Sequence, residues 1–182
     1  MVFVLDVSGS MKEPARNYGN NKSGGRTKID VARSNLKAAL QSLHSEALFN
    51  VVLYNDRARR AFRDVRPATQ ENKAAALSFC EQAVPRGGTN IYAGLVDAFE
   101  LSGPSRRGSR KAEASPQVDT VYFLTDGQPT VGAVRRPELI LAEVAARNRL
   151  RRLRIHTVGV GDHDKAFLRK LAELNRGAYI AP

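Results

Sequence analysis

A chain of 182 residues, 42% hydrophobic and 26% charged, has the size and make-up of one soluble globular domain and lies far from disordered or collagenous compositions. No apolar run reaches the roughly 18 to 20 residues that a membrane-spanning helix needs, so no span is expected. The net charge of +11 and pI near 10.3 would suit nucleic acid, an anionic membrane surface or an acidic protein. No zinc-finger spacing, ribonucleoprotein aromatic motif or row of exposed aromatics is present, which argues against nucleic acid.

The single cysteine, Cys80, excludes an internal disulfide and a cluster of thiolate ligands, and its apolar helical position reads as buried filler. No signal-peptide pattern precedes the first strand, and Met1 stands directly on it. The expectation is one domain, residues 1–182, excised from a longer protein and monomeric on its own, its compartment unknown.

In chain order, strands of buried type are predicted at 2–6, 49–54, 59–62, 120–125, 155–160 and 178–180, with helices at 28–43, 70–83, 91–101, 137–150 and 164–175. This alternation predicts an α/β fold, a Rossmann-like three-layer sandwich with a mostly parallel central sheet. In the first helix Ile29, Ala32, Leu36, Ala39, Leu40 and Leu43 share one face, behind Thr27 as N-cap with Asp30 three residues on. Asn55 and Asp56 between two strand runs predict a hairpin turn, which makes 59–62 an antiparallel edge strand. Pro137 suits a first helical turn. Two stretches break the rhythm: residues 12–26, from Lys12 to Arg26, follow the first strand at the carboxyl end of the sheet, and residues 102–117 precede the fourth major strand at the opposite pole.

Small oxygen-bearing side chains gather at the carboxyl edge. They are Asp6, Ser8 and Ser10 in LDVSGSM, Thr89 in RGGTN, and Asp126 in YFLTDGQPT. In an open doubly wound sheet, ligands collect in the crevice where strand order reverses. Carboxylates and hydroxyls without His or Cys form an oxygen-only donor set, suited to Mg2+, Mn2+ or Ca2+ rather than zinc or copper. The bland alternative has the hydroxyls capping turns and the aspartates closing loops. It suffices for any one residue, but two strand-end carboxylates meeting without a cation would repel.

Together, DVSGSM, GGTNIYAGL and an apolar strand ending in TDGQPT resemble the metal-ion-dependent adhesion site of von Willebrand factor A domains, over nearly the whole chain. DVSGSMKEPA and RGGTNIY are similar to A domains of large bacterial proteins, some attached to helical repeats. The resemblance implies that Ser8 and Ser10 bind an ion directly, Thr89 directly or through water, and Asp6 and Asp126 largely through water. It further implies a sixth position, open to an Asp or Glu of a partner protein.

Two other classes stand beside this protein-binding reading. A Mg2+-dependent phosphoryl-transfer or hydrolytic enzyme of the aspartyl type needs a second carboxylate two residues after the first, and that position is Ser8; phosphate-loop and HExxH motifs are also absent. A basic scaffold would use Arg106, Arg107, Arg110 and Lys111, with Arg147, Arg149, Arg151, Arg152 and Arg154, at the pole away from the metal; such runs are usually solvated faces. His44 at a helix end and His156 in an apolar strand read as structural, whereas His163, after GVGD, could edge the crevice together with Asp162. Segment 12–26 is longer than the family's usual passage into its first helix, and is expected to supply partner specificity or a lid.

Overall fold

A computed structural model of the chain describes residues 1–15, 25–103 and 118–180. Among the described residues seven strands form one sheet: β1 (Val2–Asp6), β2 (Leu48–Tyr54), β3 (Ala58–Arg60), β4 (Arg66–Pro67), β5 (Thr120–Thr125), β6 (Arg154–Gly159) and β7 (Tyr179–Ile180). Their order is β3-β2-β1-β5-β6-β7, with β4 pairing β2 beside that path. The pairs β1–β2, β1–β5, β5–β6 and β6–β7 are parallel, and β3 is the expected antiparallel edge. From β1 the chain adds strands on one side and then crosses to the other, so strand order reverses at β1 and β5.

Among the same residues five α-helices cover the sheet: α1 (Lys28–Ser42), α2 (Gln70–Glu81), α3 (Ile91–Leu101), α4 (Pro137–Arg151) and α5 (Lys165–Leu174). Alternation along β1 divides the core. Val2 and Val4 face a cluster with α3, α4 and α5, while Phe3 and Leu5 face Ile29, Ala32, Leu36 and Leu40 of α1 with Ala76 and Cys80 of α2. These are the three layers predicted, and no helix among the described residues is long and apolar enough to cross a membrane. Burial pushes the Cys80 thiol up to about 12, as suits an inert core residue.

Several local signals act as read. Thr27 accepts the Asp30 backbone N–H, and the Asp30 carboxylate accepts the Thr27 backbone N–H, forming a full capping box. Strand β3 is shorter than predicted because the buried Asn50 side chain takes over the ladder: it accepts from Phe62 N–H and donates to the Phe62 carbonyl at 2.7 Å. On the other side, Asn148 ties the end of α4 to β6, donating to the Leu153 carbonyl and to Asn175 and accepting from Leu153 N–H.

Candidate metal centre

The first three site residues are set by the end of β1. Asp6 is fully buried and pairs in register with Tyr54 of β2. Its Oδ1 accepts the Ser8 backbone N–H at 2.8 Å, which curls the chain back and starts a 3-10 turn over Gly9–Lys12. Its Oδ2 accepts from the Thr125 hydroxyl at 2.6 Å and the Tyr54 hydroxyl at 3.2 Å. Three donors, from the ends of β1, β2 and β5, therefore fix one carboxylate. Burial pushes the Asp6 carboxyl up to about 6 against the pull of its Thr125 and Ser8 hydrogen bonds, and the charge of Asp126 adds to the rise.

Ser8 and Ser10 point the same way, with their Oγ atoms 3.2 Å apart. Ser10 donates to Asp126 Oδ1 at 3.0 Å. Its single proton is thereby used, so Ser8 is the donor of the serine pair and the Ser10 lone pairs face Ser8 and the crevice. Asp126, directly after β5, is buried as well. The carboxylates expected to flank the switch point do flank it.

Thr89 is brought in by the loop between α2 and α3. Gly9 N–H donates to the Gly87 carbonyl at 3.0 Å, and Arg86 N–H to the Val7 carbonyl at 3.0 Å, so this loop is stitched to the Ser8–Ser10 turn. Gly87 has φ of +76°, and a Cβ there would stand 2.1 Å from Asp56 Oδ2, while one on Gly88 would stand 2.7 Å from a Val131 methyl. The glycine pair is thus required by backbone conformation and by crowding. Thr89 is buried and exchanges two hydrogen bonds with Thr130: Thr89 N–H to the Thr130 hydroxyl at 2.8 Å, and Thr130 N–H to the Thr89 carbonyl at 3.0 Å. Gly127, just after Asp126, lies beside it, since a Cβ there would be 3.7 Å from Thr89 Oγ1. All five predicted residues therefore border one crevice. Among the described residues no three His, Cys, Asp or Glu side chains cluster, which leaves the mixed carboxylate and hydroxyl set as the candidate.

Four contributors escaped the sequence. Asp56, read only as a turn residue, accepts Gly88 N–H at 2.8 Å and so braces the Thr89 loop. Tyr54 and Thr125 supply the hydroxyls on Asp6. Lys28 is the larger omission: its ammonium lies 2.8 Å from Asp126 Oδ2 and 2.7 Å from Glu13 Oε2. Burial alone would lower the Lys28 pKa, but the hydrogen bonds from Asp126 and Glu13 outweigh it and hold the ammonium above its ordinary value. One signal was available. A lysine in the first turn of a helix opposes the helix dipole, so a favourable pairing elsewhere is implied.

His163 has both ring nitrogens engaged, Nδ1 2.6 Å from the Gly161 carbonyl and Nε2 2.6 Å from the Tyr179 hydroxyl. His156 stacks on Tyr122 at 5.0 Å, and His44 is exposed beyond α1. Arg147, Arg149, Arg151 and Arg152 end α4 and Arg154 starts β6, at the sheet end opposite the crevice. Arg106, Arg107, Arg110 and Lys111 lie outside the described residues, as does most of segment 12–26. The neck of that segment is described: Pro14 and Thr27 form an antiparallel bridge, and Ala15 N–H donates to the Arg26 carbonyl.

The chain is similar to inter-alpha-trypsin inhibitor heavy chain H2 of Mesocricetus auratus, 30% identical over 179 residues, and to heavy chain H4 of Homo sapiens, 34% identical over 183. Each match covers 97% of this chain and 17% of the relative, so the chain spans about a sixth of these curated relatives. Among solved structures, the von Willebrand factor type A protein from Catenulispora acidiphila superposes with a TM-score of 0.76 at 24% identity, over 100% of this chain and 38% of that one. Manganese-loaded Plasmodium vivax TRAP protein gives 0.62 at 20% identity, over 99% and 67%. Proximal thread matrix protein 1 from the mussel byssus, with a zinc-occupied MIDAS motif, gives 0.63 at 19% identity, over 99% and 43%. The family model described as von Willebrand factor type A domain matches residues 1–180. The chain belongs to the von Willebrand factor type A domain family, a family of adhesion and interaction modules rather than enzymes.

Proposed function

We propose that this chain is a divalent-ion-dependent protein-binding domain in which Asp6, Ser8, Ser10, Thr89 and Asp126 hold a hard cation, Mg2+ first with Mn2+ and Ca2+ as alternatives. An Asp or Glu of a partner protein completes the coordination. The observation that carries this reading is the use of protons at the serine pair. Ser10 gives its hydroxyl proton to Asp126 at 3.0 Å, with Ser8 Oγ 3.2 Å away, so hydroxyl oxygens converge in the crevice between two strand-end carboxylates.

The donor set fits the ion chemically. Two carboxylates and three hydroxyls give hard oxygen ligands. Asp6 is a buried carboxyl whose ionised form is costly, and a cation in the crevice would offset that cost. When bound, the ion supplies a positive centre that attracts a carboxylate. The chain does the remaining work: Asp6 shapes the Ser8 turn, Thr130 locks Thr89, and Ser10 with Lys28 orients Asp126. The zinc-occupied mussel protein and the manganese-loaded TRAP protein support divalent-ion binding without selecting Mg2+.

An acid–base role finds little support here. Position 8, where a second carboxylate would act, carries a serine, His156 stacks on Tyr122, and both ring nitrogens of His163 are engaged by Gly161 and Tyr179. Heavy chains H2 and H4 are from mammals and one similar solved structure is from Catenulispora acidiphila, and the ion-site reading needs neither setting. We take residues 1–182 as one domain, monomeric alone and part of a longer protein, the last supported by its 17% share of the relatives.

Calorimetric titration with Mg2+ and Mn2+ tests the proposal. The parent should show one site, and Asp6→Ala or Ser8→Ala should abolish it. No ion binding at millimolar concentration in the parent would refute the reading. Affinity capture with and without chelator then tests whether partner binding depends on the ion.

A further inference from the structure

We infer that Lys28 is a resident counter-cation of the ion site, which weakens the hold on the ion alone and leaves a bound ion under-neutralised toward an incoming carboxylate. This inference rests on the five-residue site proposed above.

The geometry is specific. Asp126 has both oxygens engaged, Oδ1 by the Ser10 hydroxyl and Oδ2 by the Lys28 ammonium at 2.8 Å. The two side chains are 1% and 7% exposed, so water screens this pair little. The second partner of the ammonium, Glu13, is 63% exposed, so water screens its charge and it offsets the lysine less at the crevice than Asp126 does.

The placement is built into the fold. Lys28 opens α1 directly after the Thr27 capping box, where the helix dipole disfavours a cation. Its side chain passes the turn after β6, where Gly161 has φ of +64° and a Cβ would stand 2.9 Å from Lys28 Cε. A contact that merely closed the segment neck would not require this. Lys28 N–H already donates to the Glu13 carbonyl at 2.9 Å, and Pro14 bridges Thr27.

The charge balance gives the consequence. Asp6 and Asp126 alone would neutralise a divalent ion completely. With the buried Lys28 beside Asp126, and the charge of Glu13 screened by water, a local positive excess remains at the crevice, and an acidic side chain from outside offsets it. Lys28 is therefore a positioning and charge-setting residue, reaching the ion only through Asp126.

The test is Mn2+ titration of the full chain by calorimetry at low ionic strength. Lys28→Met should bind Mn2+ roughly ten-fold more tightly than the parent. Lys28→Gln, which can still donate to Asp126 without carrying charge, should also bind more tightly, and it serves if Lys28→Met does not fold. Lys28→Arg should restore affinity toward the parent. A brace that only held Asp126 would give the opposite sign, because its loss would loosen a ligand. Unchanged or weaker binding in a folded neutral variant overturns the inference while leaving the site standing. A parent that binds no Mn2+ overturns the site, and this inference with it.

Discussion

Asp6 makes a quantitative prediction for the ion-free domain. Its carboxyl is fully buried and pushed up to about 6, from an ordinary aspartate value of 3.8. At about 1.4 kcal/mol per pH unit, keeping it ionised costs the fold about 3 kcal/mol above pH 6, as an order of magnitude. The sign follows from linkage. Between about pH 4 and pH 6 the folded state binds more protons at this group than the unfolded state, so its contribution to stability rises as pH falls through that window. Asp6→Asn removes the charge but replaces one acceptor oxygen with a donor amide. The Thr125 and Tyr54 hydroxyls can turn to accept from it, for a loss of about 1 kcal/mol. In chelator at pH 7.5, Asp6→Asn should therefore be more stable than the parent by about 2 kcal/mol, or about 4–8 °C in Tm for a domain of this size. The advantage should shrink toward pH 4.5, and saturating Mg2+ should reverse it, since only the parent gains from the ion. Thermal melts of both proteins across pH 4.5–7.5, with chelator and with Mg2+, measure this directly. A stability difference independent of pH would refute the argument that Asp6 is a strained charge.

Two further outcomes follow from the bracing of the site and of the sheet edge. Asp56→Ala removes the acceptor for Gly88 N–H and should weaken Mn2+ affinity several-fold through a loosened Thr89, with a stability cost of about 1 kcal/mol; calorimetry and urea melts read the two effects separately. Arg60, bidentate to Asp97 and 2.6 Å from Glu100, clamps β3 to α3, so Arg60→Ala should lower Tm by about 2–4 °C and leave ion affinity at the parent value.

Much of the fold was legible because hydrophobic periodicity and capping chemistry act locally. The Thr27–Asp30 box and the alternation of Val2, Phe3, Val4 and Leu5 mean the same in the folded chain as on paper. Misjudged boundaries have non-local causes. Phe62 leaves β3 because Asn50, twelve residues earlier, takes its backbone bonds. Strand β4 is two residues long and contains Pro67, which cannot donate to a ladder, so it left no pattern to read. At the site, the residues that were legible carry chemistry in their type and spacing. Tyr54, Thr125 and Asp56 were not, because each acts through a partner 32 to 119 positions away.

Lys28 shows why net charge was a poor guide. It is one of 29 basic residues, and it counts no more toward +11 than any exposed arginine at the end of α4. Those arginines lie at the far end of the sheet in water, where screening over about 8–10 Å removes most of their effect on the crevice. Lys28 lies 2.8 Å from a buried carboxylate that borders the crevice. The field a partner carboxylate meets there is set first by the buried charges beside it, Asp6, Asp126 and Lys28. A sequence sum cannot weight these above the rest, because burial and distance exist only once the helix start, the β5 terminus and the turn after β6 have been brought together.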